Sequence, residues 1–568
     1  MSLPWKVHAH SPTPLGESLS RSLGLHPIVA SILERRGIGS PEEAERFLCP
    51  SLNHLHDPFL LKGMDAAVAA LDEALREGRR IVISGDYDVD GITSSTLLVK
   101  FLRDAGCRDV DVFIPNRFDH GYGLTPRTVE ALLERKPQLI VTVDNGITAV
   151  DEVARLRAEG IATIVTDHHL PRSAGVPAGI VVNPQQPGCG YPFKGISGCG
   201  VAFKLVTALR KRLREAGWWS AERPEPNLKA LLDLVAVGTV ADVSALVEEN
   251  RVLVYHGLEV MNRPGLRPGF AALLAYGRPE PVTARTLAFR VAPRLNAAGR
   301  MSDGTLGVRL LLAGETAEAV ELAGRLEEQN TARRHKSAEM LEEAQGIVGA
   351  EATADDPGIV VKSEAFHEGV IGITAARLVE IYHRPVVVLA ENADSFKGSA
   401  RSLPGVNLAA VFEACADLLS EHGGHAAAAG CRIPKENLAA FRQRFAEACA
   451  RLADHAEPPA EEMDATLDPA AIPPDLVEQL QRLEPFGQQN PEPSFLVESH
   501  GLPEPRPFGR GHLKWPINGG AEMVAWGAAE RAADATAGAR YRVRLGFNEY
   551  RGNRKVQLTV DEIRPPSE

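Results

Sequence analysis

The chain has 568 residues, too many for one hydrophobic core, and is 44% hydrophobic and 24% charged, the balance of an ordinary globular protein of three or more domains. Its 74 acidic and 62 basic residues give a formal charge of −12, which argues against a basic nucleic-acid coat but not against a local basic groove or carboxylates committed to metal ions. Seven scattered cysteines without a C-x-x-C pair argue against a zinc ribbon or disulfide scaffold, and no apolar run is long enough to span a bilayer, so the expectation is a soluble, cytoplasmic protein with reduced thiols and no membrane partner.

In chain order, residues 1–60 predict a small helical region, with "PIVASILERRG" and "SPEEAERFLCP" as helices and Ser40 as an N-cap. From 61 to 306 helices and strands alternate: "MDAAVAALDEALREG", strand "RIVISG", "ITSSTLLVKFLRDAG", strand "DVDVFIP", "TPRTVEALLERK", strand "LIVTVDNG", "AVDEVARLRAEG", strand "ATIVTDHH". That alternation predicts βαβ units and a parallel sheet covered on both faces, with any ligand beyond the carboxyl ends of the strands. Residues 307–350 predict a long connecting helix, and 351–455 a smaller α/β domain carrying "GIVVKSEA", "GITAARLVEIYH" and "PVVVLAE". A Pro- and acid-rich boundary lies near 454–469, and 456–568 predict a small β-barrel from "EMVAWGAA", "ARYRVRLGFNEY" and "KVQLTVDEI".

Four apparent strand ends in the first α/β region finish in metal-ligand residues: Asp86, Asp88 and Asp90 in "SGDYDVDG"; Asp144 in "VDNG"; Asp167, His168 and His169 in "TDHH"; and Asp242 in "VADV". In an extended segment the three alternate aspartates converge on one side, and Gly91 turns the chain into the next helix. A lone aspartate at a strand end is usually a helix cap, but four such ends on one sheet edge are a site. Carboxylates this close repel one another unless a cation offsets the repulsion. Oxygen-rich ligands with imidazole and no thiolate favour two Mn²⁺ or Mg²⁺ ions, with Asp144 as the candidate bridge, and so in-line attack at phosphorus.

These four motifs resemble those of the DHH phosphoesterase superfamily. "FRVAPRLNAAGRM", "FKGSARS", "EHGGHAAAAG" and "LEPFGQQNPEP" further resemble the RecJ family of bacterial single-strand-specific 5′→3′ DNA exonucleases, over roughly residues 20–565. The resemblance implies a DHH domain, a connecting helix, a DHHA1 domain and an oligonucleotide-binding (OB-like) β-barrel, with DNA threading a cleft between the first two domains. It implies metal ligation by Asp86, Asp88, Asp90, Asp144, His168 and Asp242, with the three first-motif aspartates not partitioned between ions. His169 orients the site or a phosphate. Ser399 and Arg401, two apart, are candidates for a terminal 5′ phosphate, and Gly424 and His425 for backbone approach to phosphate. Arg294, Asn296 and Arg300, read as a loop before the connecting helix, are expected to face DNA. Arg117 is a candidate phosphate contact and Tyr122 a candidate base-stacking ring. Trp515, Trp526, Phe547 and Tyr550 in the tail are stacking candidates, each more readily explained as core. The expected activity is two-metal hydrolysis of single-stranded DNA from a free 5′ end in recombination and repair. The implied partners are single-strand-binding protein and a RecQ-type helicase, and the expected state is a monomer. Two alternatives share parts of this pattern: a DHH phosphodiesterase of short oligonucleotides or cyclic dinucleotides, and a non-catalytic single-strand-binding replication factor.

Overall fold

The N-terminal segment folds as its caps dictate. Strand β1 (Trp5–Val7) precedes helices α1 (Pro14–Leu23), α2 (Pro27–Arg35) and α3 (Pro41–Leu48), each opening on a proline behind a side-chain cap from Thr13, His26 or Ser40. The computed structural model describes the whole chain except residues 1–3, 9–12, 173–174, 278–280, 302–303, 352–354, 454–459, 501, 518–520, 551–552 and 567–568, and the side chain of Tyr550, a stacking candidate, also lies outside the described residues. Two compact units emerge: Met1–Ala292 with Val308–Ala319 and Ala460–Glu568, and Pro293–Gly307 with Val320–Pro459.

In the first unit, α4 (Met64–Glu77), β2 (Ile81–Ser84), α5 (Val89–Asp104), β3 (Val110–Phe113), α6 (Pro126–Glu134), β4 (Leu139–Val143), α7 (Val150–Ala158), β5 (Ala162–Thr166) and β6 (Ile180–Val182) follow the predicted alternation, with β6 an addition. The sheet order is β3-β2-β4-β5-β6, all parallel. Every residue of β2 and β4 is buried, so both faces are covered. The chain leaves β2 for β3 on one side and returns to β4 on the other, which puts the topological switch point between the ends of β2 and β4.

Helices α8 (Gly198–Glu215), α9 (Leu232–Ala241), α10 (Glu248–Met261) and α11 (Pro268–Leu274) follow. Helix α9 corrects the expectation of a fourth strand end: "AVGTVADV" is helical, and Asp242 is its C-cap. Residues 232–239 are all buried, and a helix apolar on every side gives the same continuous hydrophobic run as a central strand. A second correction concerns Arg294, Asn296 and Arg300. They lie not in a loop but on helix α13 (Ala292–Met301), reached from α12 (Ala284–Thr286) through a π-helical turn at Leu287–Val291. Pro293 and Gly299 look like breakers, but a proline is tolerated in a first turn.

Helices α14 (Thr305–Leu312) and α15 (Thr316–Glu351) match the expected long connection. In the second unit, β7 (Ile359–Ser363), α16 (Ile371–Tyr382), β8 (Val386–Glu391), β9 (Ser395–Arg401), α17 (Leu408–Glu413), β10 (Glu421–Gly424), β11 (Ala428–Pro434) and α18 (Leu438–Leu452) form a five-stranded sheet in the order β10-β11-β9-β8-β7. Alternation along its strands feeds two cores: Val360, Val387 and Leu389 pack with Phe441 and Phe445, while Val361, Val386 and Val388 pack with Met340 and Leu378.

The tail contributes β12 (Glu461–Met463), β13 (Ala465–Thr466), α19 (Pro474–Gln481), β14 (Phe495–Glu498), β15 (Arg506–Phe508), β16 (His512–Pro516), β17 (Glu522–Ala525), β18 (Arg540–Tyr550) and β19 (Asn553–Arg564). The sheet runs β13-β14-β18-β19-β17-β16-β15 and is open: no pairing joins β13 to β15 among the described residues, so the barrel does not close. Nor is the N-terminal region separate from the tail. Leu19, Val29, Leu33 and Leu48 share one core with Phe495, Trp515, Tyr541 and Leu558, and β1 pairs with β12.

Candidate metal centre

The end of β2 delivers Asp86, and the chain then turns directly into α5. The extended reading of "DYDVD" is therefore corrected: Asp88 is the N-cap of α5, accepting from Gly91 N at 3.0 Å, and Asp90 sits in the first helical turn. Gly91 is helical, not a turn. A Cβ there would lie 2.5 Å from the backbone N and O of Asp86, so glycine serves close approach. Asp90 is gripped by the N-terminus of α8, its oxygens accepting from Gly198 N at 2.7 Å and Cys199 N at 2.9 Å, where the helix dipole favours negative charge.

Asp144 ends β4 at φ +61, a left-handed conformation that aspartate adopts more readily than most residues. Its turn is held by Asn145, whose Nδ2 donates to Ser84 O at 3.2 Å and Val143 O at 2.8 Å, tying the ends of β2 and β4 together. Beyond β5, Asp167 accepts from the amides of Ile147, His168 and His169 and from His169 Nδ1 at 2.7 Å. Asp167 is thereby satisfied within the protein, whereas His168 Nε2 reaches 3.0 Å from Asp144 Oδ1. Asp242 accepts from Ser244 Oγ at 2.5 Å.

Among the described residues, three groups have ligand atoms within 4.8 Å of one another: Asp86, Asp88 and Asp144; Asp90, His168 and Asp242; and Asp144, His168 and His169. Asp144 and His168 each belong to two groups. The donor set fits divalent cations on an observation of this protein. Both oxygens of Asp86 are buried without a side-chain hydrogen-bond partner, and buried Asp144 Oδ1 and His168 Nε2 have only each other at 3.0 Å, which leaves lone pairs for a cation. The electrostatics agree. Burial, then Asp88, pushes the Asp86 carboxyl well above the usual range; burial and Asp242 do so for Asp90, and burial and Asp88 for Asp144. For His169, burial is outweighed by its bond to Asp167, and its pKa rises to about 9.

Arg117 and Tyr122 flank this cluster. Arg117 lies 4.7 Å over the Tyr87 ring and donates to Tyr87 Oη at 3.3 Å, while half-exposed Tyr122 places its hydroxyl 3.5 Å from His169 Nε2. The remaining candidates belong to the second unit. Ser399 and Arg401 lie on β9 with Arg401 Nη1 donating to Ser399 Oγ at 3.2 Å, and no carboxylate lies within ion-pair distance of Arg401 among the described residues. Both sit over the start of α16, where a Cβ on Gly372 would come 3.0 Å from Arg401 Nη2 and from Ser399 Oγ. Val370, the N-cap of α16, offers no side-chain cap, but backbone carbonyls close the helix start: Ile371 N donates to His367 O at 3.2 Å and Ile373 N to Val370 O at 2.9 Å. Gly424 ends β10 at φ +142, with space for a Cβ taken by Ala428 O at 2.5 Å, and exposed His425 follows. Arg294 pairs with Glu327 at 2.5 Å, Arg300 donates to Gly369 O at 3.3 Å, and Asn296 is half-buried on the same helix. In the tail Trp515 is core, Trp526 is 56% exposed, and Phe547 is covered by Arg554 at 3.6 Å.

The sequence reading passed over Tyr87, Asn145, Ser197, Gly198 and Gly238. The small-residue run "SGCG" before a helix was the available signal for two of them, because only glycine fits where a Cβ would lie 2.7 Å from Asp144 Oδ1 and 2.9 Å from Asp90 Oδ2.

Residues 80–239 match the DHH family, N-terminal domain, residues 355–451 the DHHA1 domain, and residues 463–562 the RecJ OB domain. The chain is 39% identical to the single-stranded-DNA-specific exonuclease RecJ of Haemophilus influenzae, with 98% of both chains aligned. It is 38% identical to the Escherichia coli protein of the same name, over 95% of this chain and 96% of that one. Among solved structures, RecJ of Thermus thermophilus in complex with Mn²⁺ superposes with a TM-score of 0.82 at 33% identity, covering 100% of this chain and 80% of that one. The Mg²⁺ complex of the same protein superposes with a TM-score of 0.76 at 30% identity, covering 100% and 79%.

Proposed function

Because the chain belongs to the RecJ family of single-stranded-DNA-specific exonucleases, we propose that it hydrolyses single-stranded DNA from the 5′ end using the carboxylate–imidazole cluster at the β2/β4 switch point. The carrying observation is a buried ligand set with no other side-chain partner: the Asp86 carboxyl, and Asp144 Oδ1 facing His168 Nε2 at 3.0 Å. Asp86, Asp88 and Asp144 would hold one divalent cation and Asp90, His168 and Asp242 a second, with Asp144 of the first group and His168 of the second 3.0 Å apart. When bound, such a pair supplies a water nucleophile at neutral pH and neutralises charge on phosphorus.

The chain's own residues do the rest. Asp167 accepts a hydrogen bond from His169 Nδ1, so Nε2 faces outward toward Tyr122, where it can meet a phosphate oxygen. Tyr122 offers a ring face for a base, and Arg117, held on Tyr87, a guanidinium for the backbone. Arg401 and Ser399, side by side over the start of α16, form an anion site suited to a terminal 5′ phosphate.

In this reading the protein acts as a monomer in the cytoplasm, in recombination and repair. Its strands are opened by a RecQ-type helicase and coated by single-strand-binding protein. No helix among the described residues is long and apolar enough to cross a membrane. The substrate class is tested by comparing label release in Mn²⁺ from a single strand and from the same strand in a blunt duplex. Preference for the single strand is expected; equal rates contradict the reading.

A further inference from the structure

The segment "LEPFGQQNPEP" contributes nothing to the metal cluster, yet it is among the most tightly pinned in the first unit. Asn490 is fully buried and donates from Nδ2 to Leu483 O at 2.9 Å and Pro485 O at 2.7 Å, while its Oδ1 accepts from Arg36 Nη1. Buried Arg251 donates to Leu483 O at 2.8 Å, Arg482 O at 3.1 Å and Phe47 O at 2.9 Å. Gly487 and Asn490 exchange backbone hydrogen bonds at 2.9 and 3.1 Å, which closes a tight loop.

One outward hydrogen bond leaves this loop toward the metal cluster: Gln488 O accepts from Leu246 N at 2.8 Å. Leu246 is buried, and a Cβ on Gly487 would lie 2.7 Å from its Cδ1, so loop and leucine are in close contact. Leu246 ends a short turn that begins at Asp242. Within it Ser244 Oγ donates to Asp242 Oδ2, and Val243 is held at φ +60 with its side chain 64% exposed. A β-branched residue in the left-handed region is strained and persists only where its surroundings dictate it. Two bonds at the end of α9 set it from one side, Val243 N to Val240 O and Ser244 N to Thr239 O, both 3.2 Å, and Leu246 anchors the segment on the other.

We propose that residues 483–491 are a positioning brace for Asp242: through Gln488 O and Gly487 they clamp Leu246, fix the far end of the left-handed turn that begins at the end of α9, and so aim the Asp242 carboxylate at Asp90 and His168. Gly487 and Leu246 are positioning residues here, touching neither cation nor substrate. The proposal rests on the reading of Asp242 as a metal ligand.

The test is calorimetric titration of Mn²⁺ into chelator-treated full-length protein without DNA, on wild type, Gly487→Ala, Gly487→Ala/Val243→Gly and Asp242→Asn, with folding checked by circular dichroism. Gly487→Ala pushes on Leu246 and is expected to weaken Mn²⁺ binding at one site by about tenfold or more, as loss of a supporting contact does. In steady-state assays the same variant loses kcat with little change in KM for single-stranded DNA. Val243→Gly adopts the left-handed turn unaided and is expected to restore Mn²⁺ binding in the double variant. Wild-type Mn²⁺ affinity in folded Gly487→Ala overturns the brace, as does a loss that Val243→Gly does not repair. Should Gly487→Ala not fold, Leu246→Ala reads the same contact from its other side, with the same loss and the same rescue expected. Wild-type Mn²⁺ binding by Asp242→Asn instead overturns the ligand reading itself.

Discussion

Asp86 brings a fully buried carboxyl next to Asp88 with no side-chain donor, and keeping it charged costs on the order of several kcal/mol without a cation. The pH dependence follows. Asp86, Asp90 and Asp144 have folded pKa values raised by burial and then by neighbouring carboxylates. A group raised in the folded state contributes stability that is present below its unfolded pKa and lost as pH rises through the folded value. His169, raised to about 9, has the same sign, and its contribution fades between its ordinary 6.5 and 9. His168, lowered by burial, has the opposite sign, as does Asp167, where the His169 contacts outweigh burial; Asp167 contributes stability lost only in acid. The metal-free protein is therefore expected to lose thermal stability as pH rises from about 6.5 to 9, and saturating Mn²⁺ to remove most of that dependence; scanning calorimetry at fixed ionic strength reads both. Asp144→Asn removes one of the repelling charges, so it should raise the metal-free Tm while abolishing activity. A metal-free Tm that falls in this variant contradicts the picture of a strained cluster. Arg401 makes its prediction in the second unit. Its charge has no carboxylate partner among the described residues, so Arg401→Ala should leave stability within about 1 kcal/mol. It should also erase any preference for a 5′-phosphorylated over a 5′-hydroxyl strand, measured as the ratio of kcat/KM values.

Two helix N-termini build the metal site at the scale of elements. Helix α5 starts on Asp88 with Asp90 in its first turn, and α8 starts against Asp90, with Ser197 capping it and bonding Thr239 Oγ1 at 2.8 Å. Gly198 and Gly238 are the spacers: a Cβ on the first meets Asp144 and Asp90, and on the second meets Asp90 Oδ1 at 2.5 Å. Gly198→Ala is expected to lower kcat about 100-fold and weaken Mn²⁺ binding while the far-ultraviolet circular dichroism is unchanged; wild-type turnover would mean that the cluster tolerates a methyl group at its centre. How legible these elements are depends on what fixes them. The strands β2, β4 and β5 with their helices are plain in the sequence because period and caps act locally. Helix α9 is not, since burial on every side erases its period. The extended reading of "DYDVD" places the right three carboxylates but by the wrong geometry, because alternate spacing in a strand and the N-cap-to-first-turn spacing of a helix both gather residues on one side. Asn145 and Gly198 escape notice because what they hold or avoid lies on other elements.

For the whole molecule, the chain's two ends form one core. Helices α1–α3 supply Leu19, Val29, Leu33 and Leu48 to the same cluster as Trp515 and Tyr541 of the C-terminal sheet, and Arg251 of α10 bonds both Phe47 O and Leu483 O. A fragment of residues 460–568 is therefore expected to lack fixed packing around Trp515 and to regain its near-ultraviolet signal when residues 1–50 are supplied in trans; a fully ordered fragment would show that the shared core is dispensable. With a net charge of −12 the chain has no overall attractive field for DNA, so the proposed function places the reaction on the local cluster. The most direct test of that claim uses a single-stranded oligonucleotide with a 5′ phosphate and a 3′ label, incubated in Mn²⁺ with wild type and with Asp144→Asn, its labelled products sized over time. Progressive shortening from the 5′ end to a labelled stub by wild type, with an intact substrate in the variant, is the predicted result. Internal cleavage, loss of the label from the 3′ end, or undiminished activity of Asp144→Asn would contradict it.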